Sequence, residues 1–368
     1  MCCLSQPLAS IFNQLISVGF VPEDWHKAII VPVYKKGATG DVANYRPISL
    51  TCVCSKIMER VIAKHIHMHL ADNNLLSHAQ HGFINRHSTC TNLLECLNDW
   101  TLTVQDKKSV VVAYIDFSRA FDSVSHKKLL SKLYLYGIRG NLLLWLEHYF
   151  CDRSHQTRVG DSLSSDTPLV SGVIQGSGVG PVAFLIYIDD LAKLLESYGV
   201  VVKLFADDVK VYLQIAGADD VTKLQCALDL ITQWADEYRL GLSIAKCNTL
   251  SIGKTPVDAQ FHIHDTELPQ LSHCRDLGVI ITSDLSCSLH IQQICVKAHQ
   301  RANSILRCFM SGNVKLLLRA FIVYVRPMLE YNSVIWSPHL KCDIERIEKV
   351  QRQFTQRLYG FKHVTMSA

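Results

Sequence analysis

The stretch Val200-Val201-Val202-Lys203-Leu204-Phe205-Ala206-Asp207-Asp208-Val209-Lys210-Val211-Tyr212-Leu213 decides how this chain is read. Apolar, mostly β-branched residues run up to and away from an adjacent pair of acids. Two such runs joined by a turn of two or three residues predict a hairpin with Asp207 and Asp208 at its tip. Aspartate is a common turn residue, which by itself accounts for an acid there. Two like charges side by side are unfavourable unless something cationic lies against them.

Working outward, Val110-Val111-Val112-Ala113-Tyr114-Ile115 is a second short β-branched run and predicts a buried strand. It ends on Asp116. If the two runs are neighbours in one sheet, Asp116 and Asp207 converge at one edge. Carboxylates on two rigid strand ends suit a pair of Mg²⁺ ions roughly 4 Å apart, the arrangement that supports in-line phosphoryl transfer. Hard oxygen ligands with room for water and phosphate favour Mg²⁺.

Helical patterns surround these strands. Met58, Ile62, Ile66 and Leu70 recur at i+4 and predict a helix with Ser55 as its N-cap. Further helices are predicted around 126–136 and 141–150, separated by Gly137 and Gly140, and at about 219–240. Residues 20–50 read as short strands and loops around Lys35-Lys36. After about residue 285 the chain is mostly helical. Ile291, Ile294, Ala298, Ala302 and Ile305 form one apolar stripe, and Ile347, Val350, Phe354 and Leu358 another. Mixed strands and helices followed by a helical end predict at least two units.

Composition narrows the class without choosing a function. The 368 residues are 48% hydrophobic and 19% charged, which excludes a disordered chain, a collagen-like fibre and a highly charged coiled coil. With 37 basic and 33 acidic residues the net charge is +4, too small over this length to prove a nucleic-acid partner. The 14 cysteines include no C-x-x-C, so neither a disulfide framework nor a paired zinc site fits, and reduced thiols are expected. The most apolar stretch, Leu316 to Leu329, is broken by Arg319, Arg326 and Pro327, so no membrane span is expected. Gly176 to Pro181 fails as a dinucleotide fingerprint at Pro181. Gly253-Lys254-Thr255 fails as a phosphate-binding loop at Asn248. His65 and His69 lie four apart on one helix without an apparent third ligand, and a polar helix face is the expectation.

Several segments stand in a telling order. They are Tyr114-Ile115-Asp116-Phe117-Ser118-Arg119-Ala120-Phe121-Asp122, Gln175-Gly176-Ser177-Gly178-Val179-Gly180-Pro181, Phe205-Ala206-Asp207-Asp208, and Gly241-Leu242-Ser243-Ile244-Ala245-Lys246-Cys247. They resemble motifs A, B, C and D of reverse transcriptases, specifically those of non-LTR (LINE-type) retrotransposons. Pro22-Glu23-Asp24-Trp25-His26-Lys27-Ala28, Asn44-Tyr45-Arg46-Pro47-Ile48-Ser49-Leu50 and Gln80-His81-Gly82-Phe83 with Ser88-Thr89 resemble that group's fingers motifs. Leu277-Gly278-Val279, Arg326-Pro327-Met328-Leu329-Glu330-Tyr331 and Trp336 resemble its post-palm and thumb region. The resemblance covers essentially the whole chain.

The resemblance implies an α+β right-hand polymerase. Fingers would span 1–95, a palm with an antiparallel sheet 96–260, and a post-palm hairpin with a helical thumb 261–368. It implies RNA-directed DNA synthesis on a DNA primer from dNTPs, with two Mg²⁺ ions, or Mn²⁺ as a substitute. By similarity, Asp116 and Asp207 hold both metals, the Phe117 carbonyl adds a ligand, and Asp208 is a less direct partner. Phe121 takes the place of a ring that excludes a ribose 2′-OH. Arg46 is expected on the triphosphate, with Lys35 and Lys36 as candidates for the same work. Gln175 and Gly176 would lie beside the nascent base pair, and Lys246 is a proton donor to pyrophosphate. Arg301, Arg307, Arg346, Lys349 and Arg352 are expected to track the duplex backbone.

An arginine is common in the family where Ile84 stands, with Arg86 close by. The family usually carries an upstream endonuclease, so the chain is expected to be a fragment of a longer element. The resemblance also implies an intracellular protein, nuclear for retrotransposition, with the cytoplasm the other location. The alternative is an inactive or domesticated relic that only binds nucleic acid. A nuclease with paired carboxylates is a further rival, but it has no use for Phe121 with Gln175-Gly176.

Overall fold

The computed structural model describes residues 4–253, 257, 259–309 and 312–358. Its centre is a five-stranded sheet in the order Gln270–Leu271, Asn248–Ile252, Ser109–Ile115, Asp208–Ile215, Val201–Phe205. The first pair is parallel and the others are antiparallel. Side chains alternate along the central strand. Val111, Ala113 and Ile115 enter one core, while Val110 and Val112 enter another. Burial on both faces explains why this strand reads as a continuous apolar run rather than as an alternating one.

The first core is closed by helices His126–Leu135, Gly180–Tyr198 and Ala218–Tyr238. Helix Thr89–Gln105 closes the second core with the C-terminal helices Ser288–Cys308, Val314–Tyr324 and Lys341–Thr355. Both predicted C-terminal stripes face this core, with Ile347 only partly buried. The apolar 316–329 stretch divides into Val314–Tyr324 and Arg326–Glu330. Among the described residues no helix is long and apolar enough to cross a membrane. The described cysteines are free thiols, as expected, whereas Cys2, Cys3, Lys254 and Thr255 lie outside the described residues.

A second sheet lies beside the first. Strand Lys27–Tyr34 pairs antiparallel with Tyr45–Leu50 and parallel with Arg153–Val159, which also carries Ser162–Leu163 and Thr167–Leu169. The buried Arg153 donates to the carbonyls of Tyr149 at 2.9 Å and Trp25 at 2.7 Å, fastening this sheet to the helices behind it. After the central sheet, the hairpin of His273–Asp276 and Val279–Thr282 leads into the C-terminal helices. A buried ion pair ties it back. Lys210 Nζ lies 2.8 Å from Asp276 and 2.6 Å from Asn92 Oδ1. Removing one partner of such a pair typically costs about 3–5 kcal/mol, because the other charge stays buried.

One expected cap is corrected. Helix Val53–Asp72 starts ahead of Ser55, and Cys52 is its N-cap without a side-chain bond. Ser55 is buried in the first turn, and its hydroxyl donates to Glu59 Oε1 at 2.7 Å. A buried carboxylate has more need of that donor than an exposed helix end has of a cap. His69, as expected, makes a polar contact, 2.8 Å from the Tyr136 carbonyl.

Several histidines are folded in the neutral form. Burial pushes His81 and His290 down to about 4 and also lowers His26, His67, His126 and His299. A depressed pKa contributes stability that is present above the unfolded value, 6.5, and lost as pH falls toward the folded one. His81 and His290 together should cost about 4 kcal/mol between pH 7 and 5. Urea unfolding at the two pH values checks this, and an unchanged midpoint contradicts it.

Candidate active site

The predicted hairpin forms, with a two-residue turn of Ala206 and Asp207, so that Phe205 pairs with Asp208. Ile115 pairs with Val209 on the neighbouring strand. Continuing that antiparallel register puts Asp116 opposite Asp208, beside the turn. The three acids predicted from two separate segments therefore meet at one sheet edge.

Their electrostatics show the crowding. Burial raises the Asp207 pKa, and Asp116 adds to the rise while Lys246 and Lys35 oppose it. Asp208 reaches solvent at its rim, yet it is crowded by protein and lies near Asp207, Asp116 and Asp276. Burial first, then those charges, push it up to about 6. The sign is opposite to that of the histidines. Its contribution is fully present below the unfolded value and is lost as pH rises through about 6. The site is thus short of positive charge, which suits a divalent cation. Among the described residues no group of three or more His, Cys, Asp or Glu side chains is placed to hold a metal alone. The acids gathered at this edge offer hard oxygen donors, the chemistry that a divalent cation such as Mg²⁺ prefers.

A loop from the end of the Ala218–Tyr238 helix braces Asp116. Ser118 N donates to the Gly241 carbonyl at 2.7 Å, and Ser243 N to the Asp116 carbonyl at 2.8 Å. Asp116 N–H points at Cys247 Sγ, 3.4 Å away. Lys246 Nζ pairs with Asp116 Oδ1 at 3.0 Å, both partly exposed, so this contact is worth little in stability. It does place the predicted proton donor at the carboxylates.

Phe121 follows on the short helix Ala120–Ser123. Its ring stacks on the buried Phe184 at 4.3 Å and meets the edge of Phe83 at 6.2 Å. Gln175 Nε2 donates to Asp122 Oδ1 at 2.8 Å, and its carbonyl accepts from Ser49 N at 2.9 Å. Gly176 has φ +105°, and a Cβ there would stand 3.1 Å from the Ser49 carbonyl. This segment is thereby tied to Tyr45–Leu50, the strand that presents the exposed Arg46. Lys35 and Lys36 are both exposed, but only Lys35 is among the main charges acting on Asp207.

The C-terminal basic residues divide. Arg301, Lys349 and Arg352 are exposed. Arg307 Nε donates to the Asn303 carbonyl of its own helix. Arg346 is held at 2.7 Å by the buried Asp343, so its guanidinium already has an intramolecular partner. Ser88 caps helix Thr89–Gln105, accepting from Thr91 N at 3.2 Å.

Residues 33–281 match the family model for reverse transcriptase (RNA-dependent DNA polymerase). The chain belongs to the reverse transcriptase family. It is 27% identical to the probable RNA-directed DNA polymerase from transposon BS of Drosophila melanogaster, over 94% of this chain and 40% of that protein. It is also 27% identical to the RNA-directed DNA polymerase from mobile element jockey of the same species, over 96% and 40%. The chain thus spans about two-fifths of the length of these relatives, which place it with the reverse transcriptases of non-LTR retrotransposons. The solved structure of apo telomerase from Candida tropicalis, truncated from its C-terminal domain, superposes with a TM-score of 0.50 at 11% identity. It covers 74% of this chain and 59% of that one, a likeness of fold alone. The architecture is that of a right-hand polymerase.

Two buried polar residues at this reverse transcriptase site hold loops that the sequence did not connect to them. Glu59 Oε2 accepts from Gly178 N at 2.6 Å and so holds the loop that follows Gly176. Gln80 binds the turn that carries Asp207. Each lies in an apolar or mixed segment, far in sequence from the loop it holds. Gln80 stands in a segment that resembles a fingers motif, but only the buried position of a polar group would have flagged either contact.

Proposed function

We propose that the chain catalyses RNA-templated addition of deoxynucleotides to a DNA primer 3′-OH, with release of pyrophosphate. The observation that carries this is the meeting of Asp116, Asp207 and Asp208 at one sheet edge, with the Phe121 ring on the same loop system. Asp116 and Asp207, with the Phe117 carbonyl, would hold two Mg²⁺ ions. When bound, these ions, or Mn²⁺ in their place, activate the attacking hydroxyl and offset charge on the leaving group.

The residues of the chain do the rest. Arg46 and Lys35 receive the triphosphate, since Lys35 is among the main charges acting on Asp207, with Lys36 beside it. Gln175 and Gly176 form the floor under the new base pair, where the missing Cβ allows close approach. The primer 3′-hydroxyl releases its proton to solvent as its oxygen bonds to the α-phosphorus, the bond from that phosphorus to the bridging oxygen breaks, and pyrophosphate leaves. Lys246 supplies a proton to it. Asp208 tunes the field. Fingers at 1–95, palm at 96–260 and post-palm hairpin with thumb at 261–368 complete the assignment. Arg301, Lys349 and Arg352 follow the duplex backbone, with Arg307 beside them and Arg346 contributing what its pairing with Asp343 leaves free.

Extension of a labelled DNA primer on an RNA template with dNTPs and Mg²⁺ tests the reading. Templated, Mg²⁺-dependent product supports it. A folded protein that binds the duplex without extending it is a relic that only binds nucleic acid.

A further inference from the structure

The turn that carries Asp207 is closed by its hairpin at the Phe205–Asp208 pair, but it is not held by the hairpin alone. Ala206 has a left-handed backbone, φ +59°, which a residue with a Cβ adopts only at a cost. No side chain of either hairpin strand bonds to it among the described contacts. Its partner comes from a segment some 125 residues away. Gln80 Oε1 accepts from Ala206 N at 2.9 Å, and Gln80 Nε2 lies 3.4 Å from the Ala206 carbonyl.

The same Oε1 also accepts from Gly82 N at 2.7 Å, which fixes the amide's orientation. Gln80 is 2% exposed, so no water competes for these bonds. The segment around it is rigid. Leu204 N donates to the Ala79 carbonyl at 2.8 Å, and His81 N to the Leu204 carbonyl at 2.9 Å. Residues 79–81 thus extend the central sheet past its edge strand. Gly82 presses on the turn itself. A Cβ there would stand 2.3 Å from Ala206 N, so no other residue fits. The next residue, Phe83, then meets the edge of the Phe121 ring at 6.2 Å.

We infer that Gln80 is a positioning residue for metal binding, fixing the Ala206-Asp207 turn so that the Asp207 carboxylate is presented toward Asp116. The inference rests on the polymerase reading for its catalytic consequence but not for its physical test. The main-chain amides of Ala206 and Gly82 are the groups that Gln80 satisfies. Without its side-chain oxygen the left-handed turn loses its external hydrogen bond, and Asp207 samples orientations that do not share a cation with Asp116.

Two variants and three measurements decide it. Gln80→Leu keeps the bulk and removes both polar ends. Gln80→Glu keeps a carboxyl oxygen as acceptor and removes the amide donor. Hydrogen exchange of the 204–208 segment reads the restraint directly, and it needs neither metal nor activity. Expected for Gln80→Leu is about tenfold faster exchange at Ala206, with slow exchange recovered in Gln80→Glu. Titration with Mn²⁺ followed by electron paramagnetic resonance should show several-fold weaker binding in Gln80→Leu. Its thermal unfolding midpoint should stay within a few degrees, because a merely structural role would move the midpoint and not the metal affinity.

In primer extension, kcat should fall about tenfold or more while duplex affinity holds. Wild-type exchange and Mn²⁺ affinity in Gln80→Leu overturn the inference. So does fast exchange in a folded Gln80→Glu, which alone decides should the leucine variant not fold. If the wild type binds Mn²⁺ but extends nothing, the polymerase reading fails, and exchange with metal affinity still decides the role of Gln80.

Discussion

Asp207→Asn abolishes primer extension, by about 10³-fold or more, in a protein that remains folded. The amide keeps the shape of the side chain and removes its charge. What is lost is a ligand whose ion contributes several kcal/mol to stabilising charge in the transition state. About 4 kcal/mol is already a factor of 10³ in rate. Stability should move the other way. Burial and the neighbouring Asp116 raise the Asp207 pKa, so its ionised form is disfavoured in the folded protein. Such a group contributes stability below its unfolded value, 3.8, and loses that contribution as pH rises through the folded value. At pH 7 without metal, replacing the carboxylate therefore raises the unfolding midpoint. Mg²⁺ should raise the midpoint of the wild type and leave that of the variant nearly unchanged, since only the wild type binds the ion well. Extension and melting with and without Mg²⁺ measure both halves. Retained synthesis in Asp207→Asn would remove Asp207 from the metal site.

The same electrostatic frustration explains why so much of the site was legible. An Asp-Asp pair at a hairpin tip and an acid ending a second apolar strand are both costly, and each signals the other. The register confirms the meeting, since Ile115 pairs with Val209 and Phe205 with Asp208. The amphipathic helices were legible for the usual reason, one apolar face. Helix Gly180–Tyr198 was not, because its residues 182–192 are buried on nearly every side and show no polar face to set off a stripe. The second sheet was legible only as short strands and loops. Its parallel pairing of Lys27–Tyr34 with Arg153–Val159 joins segments more than a hundred residues apart.

The choice between Lys35 and Lys36 could not be made from sequence, since neighbouring exposed lysines differ only in direction. In the folded chain Lys35 is among the main charges acting on Asp207, a difference of placement that no sequence pattern records. Arg346 illustrates the reverse case. Its place on a basic helix suggested a phosphate contact, and the buried Asp343 claims it first. A modest net charge of +4 is therefore a poor guide to the surface a nucleic acid would meet. Acids are gathered at the sheet edge, and some of the bases are spent on internal pairs.

Phe121→Val should cut discrimination against ribonucleotides by about 10²-fold, or about 2.7 kcal/mol in relative kcat/KM. The ring is held from two sides, stacked at 4.3 Å and 16° on Phe184 and met at 82° by Phe83. Phe184 is fully buried, so the ring cannot retreat when a 2′-OH presses on it. A wall that cannot move turns a small overlap into a large penalty, because packed interiors deform little. Valine removes most of the ring and leaves its backbone where it was, fixed by the bond from Val173 N to the Phe121 carbonyl at 2.7 Å. Deoxynucleotide use should change little, since the lost wall touches nothing in a sugar without the hydroxyl. Stability should fall by about 1–2 kcal/mol for the lost half-buried ring. Phe121→Tyr keeps the wall and should keep the discrimination. Single-nucleotide incorporation of dCTP and CTP opposite a template guanine measures the ratio. Equal discrimination in Phe121→Val and wild type would place the sugar barrier on another side chain, and the stack on Phe184 would then be packing alone.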